Sequence, residues 1–225
     1  MTTMLRILEI LFPRSLAIKR WKATAYLDRA RMEPRRDARQ VQSNKAIARL
    51  KMLTAERHAP VWRQRQCLFR LAEASLLSGD SESAGRYAQS VVASYTSERP
   101  AEVSDPFSPK ELLEGWDYLR DAHLMLGRIG LDRGNIDRAG HHLVEAARVP
   151  STPVLESFGP DVTLADALLS GGHRALVLSY LSELVRHWHP GKDKVEAWIA
   201  AIEGSRTPSG PDWRPRHWVG NGDVQ

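Results

Sequence analysis

Apolar residues recur along most of this chain at the three- and four-residue spacing of an α-helix. From Ala84 the ladder reads Ala84, Tyr87, Ala88, Val91, Val92 and Tyr95. It returns as Val177, Tyr180, Leu181, Leu184, Val185 and Trp188, and again as Val195, Trp198, Ile199 and Ile202. No stretch of useful length alternates apolar and polar residues between Asn-Gly or Asp-Gly turns. The pattern predicts an all-α chain.

Punctuation residues set the expected helix ends. Pro60 precedes a helix over 61–78 that Gly79 stops, and Asp80 or Ser81 caps the next, which runs to Tyr95. Residues 96–109 form a Pro/Ser-rich loop. Ser108, Pro109 and Glu111 read as cap, first-turn proline and first-turn acid of a long helix ending near Arg133. Its partner spans Ile136 to Arg148 and is closed by Pro150 and Pro153. Helices over 161–170, 173–188 and 192–203 follow, and the Pro-rich end, residues 205–225, reads as an extended tail.

The N-terminal part separates polar from apolar less cleanly. Residues 14–32 and 36–58 read as two helices divided at Pro34, with narrow apolar stripes and one wet face. Met4 to Phe12 is a nine-residue amphipathic run stopped by Pro13. It is too short to cross a bilayer, which takes about 20 helical residues, and Arg6 and Glu9 interrupt it as a secretion signal. It reads as a helix packed on the body, with an interfacial or partner-binding helix as the alternative. A cytoplasmic location is the expectation.

Charge sharpens the division. The 225 residues carry a net charge of +5, but residues 1–60 hold 14 Lys/Arg against 5 Asp/Glu. The rest holds 18 against 22, so a basic segment precedes a mildly acidic body. The single cysteine, Cys67, excludes an internal disulfide framework and multi-cysteine metal sites. The expected organisation is a basic helical segment over 1–58, a helical-repeat domain over 59–204 and the tail.

Two helices joined by a glycine turn, more than once, suggest a repeat. Leu71-Ala72, Gly79, Ala84 and Ala88 align with Leu126-Gly127, Gly134, Ala139, Leu143 and Ala146. Leu76-Leu77-Ser78-Gly79 returns as Leu168-Leu169-Ser170-Gly171 and marks a third copy, with Leu176 where a small residue is expected. Small residues at Gly127 and Ala139 would let two antiparallel helices approach closely. Over about 61–188 the pattern resembles the tetratricopeptide repeat, although its spacing is irregular. Ser157-Phe158-Gly159-Pro160, with Trp188 and Trp198, is similar to a bacterial family of such proteins. The resemblance implies a short solenoid of antiparallel helix pairs whose first helices line a concave groove for a partner protein. It places the groove positions at Gln66, Phe69, Glu73 and Leu76 in one copy, and at Asp121, Leu124, Arg128 and Asp132 in the next.

Candidate chemistry is sparse. The chain has no phosphate-binding loop, no Gly-x-Ser-x-Gly elbow, no His-Glu-x-x-His pair and no dinucleotide-binding glycine set. Gly171-Gly172-His173 reads as a helix-to-helix turn. His187 and His189 are two apart where Pro190 ends a helix, which suits the helix dipole better than a metal. Cys67, beside Leu68 and Phe69, reads as a buried inert thiol. Trp213 and Trp218 either cap the last helix pair or, interleaved with arginine, stack on bases or a partner. The basic segment, with Arg35, Arg36, Arg39, Lys45 and Arg49, is the candidate nucleic-acid or anionic-lipid surface. Together these features predict a non-catalytic interaction module without metal or cofactor, with nucleic-acid binding through the basic segment as the alternative.

Overall fold

The computed structural model describes residues 16–54, 60–95, 115–208 and 213. Expectations for Met4–Phe12, the 96–109 loop, the Ser108 cap and Trp218 lie outside the described residues. Among the described residues there are ten α-helices, one short 3-10 turn and no strand. The fold is all-α, with helices packed in adjacent pairs. The helices are α1 (Leu16–Met32), α2 (Arg36–Thr54), α3 (Val61–Leu77), α4 (Ser81–Ala93), α5 (Trp116–Asp132), α6 (Ile136–Ala147), α7 (Pro153–Phe158), α8 (Thr163–Ser170), α9 (Arg174–Leu184) and α10 (Lys192–Glu203). No described helix is long and apolar enough to cross a membrane.

The chain divides into two packing units between Tyr87 and Ala88, inside α4. In the first unit α1, α2 and α3 share one core. Ala23, Leu27 and Ala30 meet Ala46, Leu50 and Leu53 of α2 and Cys67, Leu71, Ala74 and Leu77 of α3. Four of these residues, Ala23, Ala30, Ala46 and Ala74, are alanines, which lets the backbones come close. The boundary expected at 58/59 therefore does not separate packing units, because α3 completes the core of the N-terminal hairpin. Cys67 is buried in this core. Arg39 closes the α1–α2 turn by donating to the Glu33 and Pro34 carbonyls, both at 2.9 Å.

The second unit is built on α5 and α6, with α9 packed on α6, and α8 and α10 on α9. Its core runs from Leu143 and Leu168 through Leu181 and Leu184 to Trp188, Trp198 and Ile202. Leu176 covers Gly140, where a Cβ would lie 2.6 Å from its Cδ1. The helix expected over 173–188 ends at Leu184 instead. The chain then turns so that the Trp188 indole packs against Gly159 and Gly191. Pro153, read from the sequence as a stop, is the first residue of α7, and the Thr152 side chain caps it by accepting from Leu155 N at 3.1 Å.

One turn recurs four times. After α3, α5, α8 and α10 a residue in the left-handed region, at φ 86°, 72°, 84° and 59°, ends the helix: Gly79, Gly134, Gly172 and Ser205. In each, its N–H donates three residues back and the next N–H donates five residues back, as in Asn135 N to Gly130 O at 2.9 Å. This is the double-bonded helix end that satisfies the last carbonyls. The third turn therefore pivots on Gly172 rather than the expected Gly171. Counting from it, the position matching Ala84 and Ala139 is Val177 and not Leu176.

Candidate interaction surfaces

The predicted groove positions part company. Phe69 is buried in the first unit and Leu124 in the second, so neither is presented to solvent. Glu73 is tied within the first unit: Arg31 of α1 donates to it twice, at 2.6 and 2.7 Å, and Arg70 donates at 3.0 Å. Its carboxylate is largely buried between these guanidiniums. Glu73 is thus tied to α1 and Phe69 is buried, so both are corrected from open groove positions to structural roles. Gln66 and Leu76 are half-buried on the same helix.

The second copy differs. α5 is buried around most of its circumference, but Asp121, Arg128 and Asp132 lie along one line at spacings of seven and four and reach solvent in part. Arg128 Nε donates to Asp132 Oδ1 at 2.8 Å, an ordinary i, i+4 pair.

At the other end of α5 is a polar cluster that the sequence reading missed. Arg120 is buried and donates to Asp117 Oδ1 at 3.0 Å, to Thr152 Oγ1 at 3.0 Å and to the Pro150 carbonyl at 2.8 Å. Thr152 donates to Asp117 at 2.6 Å. Burial lowers the guanidinium's pKa, and Asp117 and Asp121 oppose the shift. The cluster fastens α5 to the turn before α7. A charged residue on an otherwise apolar helix face was its one signal in the sequence.

His123 of α5 meets His142 of α6, Nδ1 to Nδ1 at 3.1 Å, and the tilted His141 ring lies 5.1 Å from that of His142. One ring nitrogen of the pair must carry the hydrogen and the other accept it. Burial, then the charges of His141 and Arg138, lowers His142 to about 4, with Glu145 opposing. The unfolded chain binds this proton at about 6.5. Stability from this site is therefore complete above about pH 6.5 and declines as pH falls towards 4. Because the ring is only half-buried, the expected loss is about 1–2 kcal/mol rather than the full linkage value. Urea unfolding at pH 7.5 and 5 should show that loss in the wild type and a flatter response in His142→Gln. Parallel pH profiles would contradict it. Among the described residues no group of three His, Cys, Asp or Glu is arranged to hold a metal ion.

In the basic segment, Arg35 and Arg36 are exposed and Arg39 is the turn-closing side chain described above. Arg35 also pairs with Glu33 at 3.3 Å. Lys45 stands over the Tyr26 ring of α1 at 5.8 Å, and Arg29 approaches the same ring at 6.0 Å. Arg49 lies one helical turn beyond Lys45 and is half-buried. Comparisons with protein-family models, with curated proteins and with solved structures each return no match.

Proposed function

We propose that the chain is a non-catalytic protein-interaction module whose second unit offers the polar line of α5 to a partner segment. The observation that carries this reading is that Asp121, Arg128 and Asp132 occupy the part of α5 left open to solvent. These are the positions that a tetratricopeptide-like arrangement would turn towards a bound peptide. The line is net acidic, which favours a segment with lysine or arginine at matching spacing. The helix pairs, closed by the recurring left-handed turn, would hold that line rigid.

The test is affinity purification from the native host with quantitative mass spectrometry, comparing wild type with the Arg128→Ala/Asp132→Ala double variant. Specific partners should be lost from the variant. Its melting temperature should stay within about 2 °C of wild type, because an exposed i, i+4 pair contributes only about 0.3–0.5 kcal/mol. An unchanged partner set would remove α5 as the contact.

A further inference from the structure

One side of the α1–α2 hairpin, where the half-buried Tyr26 packs on the core, has an unusual make-up. Tyr26 and Arg29 of α1 and Lys45 and Arg49 of α2 come together there, with two cations sharing the Tyr26 ring. Among the described residues no acidic side chain pairs with Arg29, Lys45 or Arg49. The nearby acids are both engaged by Arg31: Glu73, with Arg70, on the opposite side of α1, and Asp28, which is exposed between Trp21 and Met32, at 2.7 Å. Like charges gathered around one ring repel each other and are relieved by an anionic partner.

Large apolar side chains stand at the margins of the same face. Trp21 and Met32, on the outward line of α1, are 40% and 83% exposed; Val41 and Met52, on the outward line of α2, are 51% and 50% exposed. On α2 they share a line with Lys45, since Val41, Lys45, Ala48 and Met52 follow one another at helical spacing. Ser43, Ala46, Leu50 and Leu53 form the buried side of that helix. A phosphodiester backbone would use the cations and leave these apolar groups in water. A bilayer surface uses both, because lysine and arginine reach the headgroups while tryptophan, methionine and valine enter the acyl boundary.

We propose that the α1–α2 face bearing Tyr26, Arg29, Lys45 and Arg49 is a docking surface for a membrane rich in anionic lipid. Binding is peripheral and reversible, held by Coulomb attraction to the headgroups and by shallow insertion of the flanking apolar side chains. It therefore weakens as salt screens the charges.

The experiment is co-sedimentation of the full chain with vesicles. One set is phosphatidylcholine with about 30% phosphatidylglycerol, and the other is phosphatidylcholine alone. The chain should sediment with the anionic vesicles only, and lose them as salt rises from about 0.1 M to about 0.5 M. Each basic residue at such a surface is worth roughly a factor of five, so Arg29→Gln/Lys45→Gln/Arg49→Gln should weaken partitioning roughly 100-fold. Val41→Ser/Met52→Ser removes exposed apolar groups without touching the core, and should weaken it roughly tenfold at constant charge. Equal binding to both vesicle types, no binding to either, or an unchanged Val41→Ser/Met52→Ser variant would each overturn the proposal. So would a gel shift with DNA or RNA that is tighter than vesicle binding and lost only in the charge variant, which would assign the face to nucleic acid.

Discussion

Ala139→Leu is expected to cost about 3 kcal/mol or more and to lower the melting temperature by on the order of 10 °C. The reason is how closely α5 lies on α6. A Cβ on Gly127 would sit 3.2 Å from the Ala139 carbonyl oxygen, and a Cβ on Gly130 would sit 3.2 Å from the Ala139 nitrogen. The two helices meet backbone to backbone at this residue, and the Ala139 side chain is fully buried. Three more heavy atoms can be admitted only by moving α5 outward. That movement would also strain Arg120 and its bonds to Thr152 and Pro150. Asp132→Ala, at the exposed end of α5, is the control and should stay within about 0.5 kcal/mol. Equal unfolding midpoints for the two variants would overturn this account of the helix pair.

Trp213→Ala should be comparably damaging, at about 3–5 kcal/mol. The indole is buried, stands edge-on to Trp198 with centroids 5.1 Å apart, and donates from Nε1 to Asp166 Oδ1 at 2.9 Å. Trp198 in turn lies 6.1 Å from Trp188, so removing Trp213 opens one end of an aromatic row. Trp213→Phe keeps most of the apolar area but loses the donor, and should cost only about 1–2 kcal/mol. The near-ultraviolet circular dichroism of the row should collapse in the alanine variant and persist in the phenylalanine one. A Trp213→Ala protein that melts with wild type would show that the residue does not seal the unit. The sequence left Trp213 between a cap and a stacking platform; its burial decides for the cap.

What the sequence made legible follows from the range of each interaction. The Val195–Trp198–Ile199–Ile202 ladder marks α10, and Gly79 and Gly134 mark their turns, because an amphipathic stripe or a left-handed glycine is a local property. Gly171-Gly172 defeated the same logic, since two adjacent glycines are equally able to take positive φ and neighbouring words could not choose between them. Pro153 was ambiguous in another way, because proline is as much at home in the first turn of a helix as beyond its end. The groove positions were harder still. Phe69 and Glu73 have the spacing of an open face, but Phe69 is buried, and Glu73 is taken up by Arg31 of α1 through an ion pair 42 residues apart in the chain. Arg29 and Lys45 could be counted as charges, but their meeting at Tyr26 depends on how α1 and α2 cross.

The Trp213 contact also has a bearing on the order in which the second unit assembles. Helix hairpins close turns of a few residues, whereas the bond from Trp213 to Asp166 spans 47 residues. Loop-closure entropy favours the short connections first, so the hairpins form the folding nucleus and the indole arrives on a nearly finished surface. Interactions made after the barrier act on unfolding rather than on folding. Loss of Trp213 therefore shortens the lifetime of the native unit while leaving its rate of formation almost unchanged, so the residue acts as a kinetic latch.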